Sequence, residues 1–270
     1  PQMCELFAMS SSAPTNVRFS LEEFSRHGGL TGLHKEGWGI AYYLDDDVKL
    51  VKEPLPASDS ACVRYIQDRP FASQLAISHI RRATQGAPVL SNCQPFVREL
   101  GGRMHVFAYN GDLDREQLCR LPLRAHRPVG TTDSEYAFCA LLGRLMGPWL
   151  GARDVPPSLD ERRSIVAAFA AEIRGFGPAN FLYADGDVLF VHAHKRMRQA
   201  EGSWLPGLHL ICRHCSGERV SLHAAGLSLS ASDTEQHVAL VASVPLTAED
   251  GWRVLREGEM VTMRDGAILS

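Results

Sequence analysis

An α+β domain built mainly of antiparallel strands is predicted by three features of the sequence. Strand signals come in adjacent pairs joined by tight-turn residues, helical signals stand apart from them, and no regular βαβ alternation of the kind that builds a parallel sheet is present. With 270 residues, 45% hydrophobic and 22% charged, the chain is long enough for one large core, and a single domain over residues 1–270 is expected.

The first strand signal runs from Cys4 to Met9. Gly39 to Tyr43 and Val48 to Lys52 flank Asp45-Asp46-Asp47, which reads as the solvated tip of a hairpin. Leu75 to Ile80 and Met104 to Ala108 follow as strands. Thr132 with Glu135 forms a capping box that opens an apolar helix to about Met146; its polar positions are few, so it should be buried. Ser158 with Glu161 forms a second box, after which Ile165, Phe169 and Ile173 fall on one helical face before Gly175 ends the helix. The stretch between them, Gly147 to Pro157, reads as a surface connection rather than a domain boundary. Phe181 to Ala184 and Val188 to His192 flank Asp185-Gly186, which suits a tight hairpin turn. Val238 to Val244 is a nearly unbroken apolar run stopping at Pro245, as a strand buried on both faces should be.

Composition excludes several function classes. A net charge of -3 gives no footprint for nucleic acid or an acidic membrane. No apolar run is long enough to span a bilayer, and Pro1 to Glu5 lack the basic and apolar regions of a signal peptide, which makes a cytoplasmic location the expectation. Seven cysteines, at 4, 62, 93, 119, 139, 212 and 215, fit a reducing compartment better than a disulfide framework. Cys212-Arg213-His214-Cys215 has zinc-like spacing, but no second such pair follows and His192 and His194 simply alternate along a strand, so no metal site is expected.

Cys4 is the first candidate for chemistry. Translation begun at Met3, followed by its removal, would leave a cysteine carrying both a thiol and a free α-amine. With unperturbed pKa values of about 8.5 and about 7.7 to 8.0, the amine is partly free near neutral pH to take the thiol proton. On position alone Cys4 reads instead as a small buried residue opening a strand. Three constellations argue for the active role. At the end of the Leu75 to Ile80 strand, Arg81 is placed to face inward, where its planar fork suits capture of a carboxylate. Asn110-Gly111 is followed by a capped helix start, Asp114 to Leu118, so it lies at a strand-to-helix junction where an amide and a backbone N–H can address one oxygen. Asp133, in the first turn of the buried helix, either complements the helix dipole or accepts from a substrate ammonium.

Taken in order, Met3-Cys4-Glu5-Leu6, Gly37-Trp38-Gly39, His79-Ile80-Arg81-x-Ala83-Thr84, Asn110-Gly111 and Thr132-Asp133-Ser134-Glu135 resemble the class II glutamine amidotransferases of the N-terminal-nucleophile (Ntn) superfamily. Val241-Ala242-Ser243-x-Pro245-Leu246 extends the resemblance to about residue 250. It implies a four-layer αββα sandwich and hydrolysis of the glutamine side-chain amide to glutamate and ammonia through a Cys4 thioester, with no cofactor. On that resemblance Cys4 matches the nucleophile and its freed α-amine the base. Asn110 and Gly111 match the oxyanion hole, Arg81 the residue that binds the substrate α-carboxylate, and Asp133 the one that binds the α-ammonium. His79 and Thr84 match the same substrate loop, where they would shape the pocket or supply backbone contacts rather than act in chemistry, and Trp38 is expected to pack near the site.

This chain departs from the family pattern in three places. Tyr109 stands where a histidine often precedes Asn-Gly, and Gln94 where histidine commonly precedes the proline of Cys93-Gln94-Pro95-Phe96; both bear on substrate scope. Pro1-Gln2 ahead of Met3 reads as a cloning remnant or short propeptide, and while it is attached the α-amine base does not exist. The length leaves no room for an ammonia-consuming domain. Two enzyme readings follow: a glutaminase handing ammonia to a separate synthase, or a γ-glutamyl amidohydrolase acting on a conjugate larger than glutamine. A third reading is a binding protein with a degenerate site. The small-molecule partner is thus glutamine or another γ-glutamyl compound, with no nucleic acid or membrane partner; the oligomeric state is not encoded in any of these signals.

Overall fold

The computed structural model describes residues 4–19, 36–69, 71–81, 86–152, 155–198, 204–215, 221–224, 227–230, 236–246 and 250–269. In chain order the first half holds β1 (Glu5–Phe19), β2 (Trp38–Leu44), β3 (Asp47–Glu53), α1 (Ala61–Asp68), β4 (Ala72–Ile80), β5 (Phe96–Leu100), β6 (Arg103–Gly111), α2 (Arg115–Leu118) and α3 (Asp133–Gly151). The second half holds α4 (Leu159–Ile173), β7 (Ala179–Ala184), β8 (Leu189–His192), β9 (Lys195–Arg198), β10 (Trp204–Pro206), β11 (His209–Cys215), β12 (Ser221–Ala224), β13 (Leu227–Ser230), β14 (Gln236–Ala242), β15 (Arg253–Val254), β16 (Met260–Arg264) and β17 (Ala267–Ile268).

These strands form two large antiparallel sheets. The first has the order β15-β11-β14-β1-β4-β2-β3, with β13 also pairing β1 and β12 pairing β13; the second has the order β17-β16-β8-β7-β6-β5. Alternation along each strand sorts side chains into layers. Leu6 and Ala8 of β1 and Leu75 and Ile77 of β4 meet Val106, Ala108, Leu182 and Val191 of the second sheet in an apolar layer between the sheets. The opposite face of the first sheet, with Phe7, Met9, Ile40 and Tyr42, packs on Val63 and Ile66 of α1. The opposite face of the second sheet, with Phe107, Phe181 and Phe190, packs on α3 and α4 through Phe138, Leu141, Phe169 and Ile173. The arrangement is the expected αββα sandwich.

The capping residues act as read from the sequence. Thr132 Oγ1 accepts from Glu135 N at 3.3 Å and Ser158 Oγ from Glu161 N at 3.3 Å. The Glu135 carboxylate does not close its box on Thr132, because it is used elsewhere: Oε2 accepts from Gly130 N at 2.6 Å and Oε1 lies 2.5 Å from Arg98 Nη2. The helix α3 runs past the expected Met146 to Gly151 despite Pro148, its last turn held by the buried Trp149, whose ring packs edge-on to His105. The strand β1 runs past the expected Met9 to Phe19. Its polar Ser10–Ser12 segment is accommodated by a register irregularity against β4, and the buried Ser11 and Thr15 hydroxyls bond to each other and to Ala13 O. Short β5 and the ribbons β9 to β13 were not read from the sequence at all. No helix among the described residues is long and apolar enough to cross a membrane.

The predicted Asp185-Gly186 turn carries a buried charge network. Asp185 Oδ1 accepts from Asp187 N and Val188 N at 3.1 and 2.9 Å, while Oδ2 lies 2.8 Å from Arg162 Nη1 of α4. Arg162 also reaches Asp187 at 2.7 Å, and Arg264 of β16 shares that carboxylate at 2.6 Å. Neighbouring carboxylates raise the Arg162 pKa against the opposing effect of burial. Removing one member of such a buried pair leaves its partner uncompensated. Arg162→Met is therefore expected to cost about 3–5 kcal/mol of stability, read as a shifted urea midpoint, whereas Arg120→Met, in an exposed i,i+4 pair with Glu116, should cost under about 1 kcal/mol.

Candidate active site

One end of the inter-sheet layer is polar. In β4 the register pairs His79 with Leu6 on one side and Gly39 on the other, and Ile80 with Glu5. Carried one residue further, the same register sets Arg81 opposite Cys4, with both on the face that looks toward the second sheet. Cys4 is half-buried there and forms no disulfide. Asn110, buried at the end of β6, enters from the other sheet, and its Nδ2 donates to Cys4 O. The other amide atom, Oδ1, is buried and has no hydrogen-bond partner among the described residues.

Gly111 follows Asn110 still inside the β6–β7 ladder, opposite Ala179. A Cβ there would sit 1.8 Å from Pro178 O, so only glycine allows β7 to approach this closely. Asn180 continues the support, donating from Nδ2 to Asn110 O and to Lys195 O at 3.0 Å each while Oδ1 accepts from His194 N at 2.7 Å. The junction read from the sequence is present: α2 starts at Arg115, with Asp114 Oδ1 accepting from Gln117 N at 3.0 Å.

Arg81 is buried and its guanidinium is held by backbone carbonyls. Nη2 donates to Gly86 O at 2.8 Å, and Nη1 to Ala87 O at 3.1 Å and Glu36 O at 3.4 Å. The Ala87 carbonyl also accepts from Asn92 Nδ2 at 2.9 Å, and Asn92 Oδ1 accepts from Thr131 N at 2.8 Å. Asn92 thereby ties the arginine loop to the residues that open α3. Asp133, first in that helix, accepts from Leu113 N at 3.0 Å and Ser134 N at 2.8 Å. Burial raises its pKa, and these two amide donors pull the other way.

Of the residues read from the sequence, Cys4, His79, Arg81, Asn110, Gly111 and Asp133 all lie at this end of the sandwich; Thr84 lies outside the described residues, as do Pro1 to Met3. Trp38 does not adjoin the site as expected. Its alternation with Gly39 turns it into the layer shared with α1. Tyr109 also points away, stacking on Phe107 and donating its hydroxyl to Pro178 O at 2.6 Å. Among the described residues no group of three or more His, Cys, Asp or Glu side chains is arranged to hold a metal ion.

Sequence reading missed Arg196 of β9. Its buried guanidinium donates to Ser243 O at 3.3 Å, lies 3.9 Å from Glu5 Oε1, and interacts electrostatically with Cys4. Ser243 in turn extends the β1–β14 pairing by a residue, donating from N to Leu6 O at 3.0 Å and accepting from Leu6 N at Oγ, 2.9 Å.

Residues 3–270 match the family described as glutamine amidotransferases class-II. The chain belongs to the class II glutamine amidotransferases. Within this amidotransferase family it is 33% identical over 260 residues to the Escherichia coli K12 protein named "Putative glutamine amidotransferase YafJ", covering 95% of this chain and 96% of that protein. It is 30% identical to the uncharacterized protein MJ1515 of Methanocaldococcus jannaschii, over 99% of this chain and 71% of that one. A crystal structure described as a predicted glutamine amidotransferase from Pseudomonas aeruginosa PA01 superposes with a TM-score of 0.74 at 33% identity, covering 99% of this chain and all of the other. The glutamine phosphoribosylpyrophosphate amidotransferase of B. subtilis shares the fold, with a TM-score of 0.59 at 16% identity over 98% of this chain and 48% of its own.

The close approach at the end of β6 gives a stability test of this packing. Gly111→Ala must push a backbone carbonyl aside and is expected to lose about 1–3 kcal/mol or more. Gly151→Ala at the end of α3, where a Cβ meets nothing within 4 Å, should gain up to about 1 kcal/mol. Thermal melts of the two variants check the contrast; equal shifts would remove the packing argument.

Proposed function

We propose that the protein hydrolyses the side-chain amide of glutamine to glutamate and ammonia, with Cys4 as nucleophile once its α-amine is free. The observation that carries this reading is the Asn110 amide lying against Cys4 across the two sheets. A hydrogen-bond donor fixed beside the nucleophile is what stabilises an oxyanion formed there.

In the proposed cycle the α-amine of Cys4 takes the thiol proton and the thiolate attacks the carbonyl carbon of the glutamine side chain. The carbonyl oxygen becomes an oxyanion, addressed by Asn110 Nδ2 and the Gly111 N–H. The proton held on the α-ammonium passes to the departing nitrogen, the C–N bond breaks, ammonia leaves and a Cys4 thioester remains. The amine then takes a proton from water, hydroxide adds to the thioester, and glutamate leaves as the proton returns to sulfur. Arg81 binds the α-carboxylate of the substrate and Asp133 its α-ammonium, while His79 and Thr84 shape the pocket. The released ammonia would serve a synthase on a separate chain.

Two residues weigh between glutamine and a larger conjugate. Tyr109 and Gln94 are the departures that could have lined the leaving-group side. The Tyr109 hydroxyl is engaged by Pro178 O, and the Gln94 amide by Tyr109 and Ser134. With neither offered to a leaving group, glutamine is the better-supported substrate.

The decisive preparation is protein with a verified Cys4 N-terminus. It should release ammonia from glutamine, and Cys4→Ala should abolish turnover without lowering the melting temperature, as should retention of Pro1 to Met3. Turnover by a homogeneous Pro1 form would sink the proposed base. A γ-glutamyl conjugate favoured more than about tenfold in kcat/KM, or roughly 1.4 kcal/mol, would move the assignment to the amidohydrolase reading.

Asn110 and Arg81 should separate kinetically. Asn110→Ala is expected to lower kcat by about 10²- to 10³-fold with little change in KM, since its donor acts mainly in the transition state. Arg81→Ala should act mostly on KM, because its contact to the carboxylate would exist before and during reaction and is worth roughly 1.5–3 kcal/mol. Unchanged KM in Arg81→Ala would remove the carboxylate assignment.

A further inference from the structure

The β5–β6 ladder pairs Phe96 with Phe107 and Val97 with Val106, so continuing its register would set residue 94 opposite Tyr109. The backbone pairing does not continue that far, since β5 begins at Phe96. Instead the buried Gln94 side chain takes over the pairing. Its Oε1 accepts from Tyr109 N at 2.6 Å and its Nε2 donates to Tyr109 O at 3.2 Å. The second Nε2 hydrogen goes to Ser134 Oγ at 3.3 Å, so both donors of the amide are used.

Each of the two residues it holds adjoins a candidate site residue. Tyr109 immediately precedes Asn110, and Ser134, whose N–H is bonded to the Asp133 carboxylate, immediately follows Asp133. Gln94 is itself anchored from the first sheet. A Cβ on Gly39 would come within 2.3 Å of Gln94 O, and Lys52 Nζ donates to the preceding carbonyl, Cys93 O, at 2.9 Å. One side chain thus sits where the first sheet, the second sheet and α3 meet.

We propose that Gln94 is a positioning residue that locks the Asn110 donor and the Asp133 acceptor into one fixed spacing, without touching substrate. This rests on the roles proposed above for those two residues. Burial makes the lock strict: an amide buried with all three bonds made loses more when one is broken than an exposed one would, and misplacement of a reacting group by about 1 Å costs on the order of 10²-fold in rate. A Gln94 side chain present only to fill space would transmit nothing from Ser134 to Tyr109.

The test uses Gln94→Met, of similar length but without hydrogen bonds, in protein with Cys4 at its N-terminus. Its kcat for glutamine should fall by at least about tenfold, with the larger share of the loss in kcat rather than KM. Amide hydrogen exchange gives a second readout that needs no turnover. The Tyr109 N–H reports the β6 end of the lock, and the Leu113 N–H, which bonds Asp133 Oδ2, reports the α3 end. Both should exchange at least about tenfold faster in Gln94→Met while Val106 N–H is unchanged. A kcat within about twofold of wild type, or acceleration at Tyr109 alone, overturns the proposal. Should wild type itself release no ammonia from glutamine, the function proposed above fails, and exchange at the two amides still decides the lock. If Gln94→Met does not fold, Gln94→Leu, which likewise removes all three bonds, carries the same expectations.

Discussion

The registers of β1 and β6 in two sheets stacked face to face determine which side chains meet between them. Leu6 and Ala8 look toward Ala108, and the same alternation brings Cys4 toward Asn110. Slipping either strand by one residue would turn Glu5 or Tyr109 inward and send the contacting pair into the outer layers. Register is enforced by burial rather than by the site. The inter-sheet layer is built from alanine, leucine, valine and isoleucine that a slip would exchange for the larger Phe7, Met9, Phe107 and Tyr109 of the outer faces. Packing of this kind tolerates little volume change, so the polar end inherits a geometry fixed by the apolar end.

Within that geometry, backbone groups orient most of the polar side chains. Carbonyls of residues 36, 86 and 87 hold the Arg81 fork, amides of residues 113 and 134 hold the Asp133 carboxylate, and Asn92 joins the two sets. Such partners bring only partial charges. They fix the orientation of the guanidinium and of the carboxylate. The glycines at 39 and 111 belong to the same design, since each permits an approach of backbone to backbone that a methyl group would block.

Much of this was legible in sequence because it is local. Alternation, turn residues and capping boxes depend on neighbours within four positions, and they located the β2–β3 hairpin, β4, β6, the β7–β8 hairpin, α3 and α4. What was illegible depends on pairing across the fold. The polar Ser10 to Ser12 segment ended the predicted first strand because hydroxyls disfavour burial until a partner is known, and here Ser11 and Thr15 partner each other. The face occupied by Trp38 could not be read from Gly37-Trp38-Gly39, since glycine gives no apolar alternation to fix the parity. Arg196, Asn92 and Asn180 carry no motif, and each becomes informative only when its long-range partner is in place. Gln94 was visible as a departure, but a side chain standing in for a missing backbone pair is a consequence of where β5 begins and of the β5–β6 register together.

A buried amide at the heart of the site has to be stabilised from somewhere, and β6 itself supplies much of the means. Its even positions, Ala108 and Asn110, face the inter-sheet layer, where an unsatisfied amide oxygen costs about 1–3 kcal/mol. Its odd positions, Phe107 and Tyr109, are buried against the helical layer, with Phe107 stacked on Phe138 at 5.2 Å and on Phe181 at 5.5 Å. Burying each large apolar side chain contributes about 1.5–3 kcal/mol. Two such residues outweigh the amide on the same strand. The strand can therefore hold a buried polar group toward Cys4 because its other face is packed on aromatic rings, and the helical layer, which contributes Asp133 at its edge, is what supplies that packing.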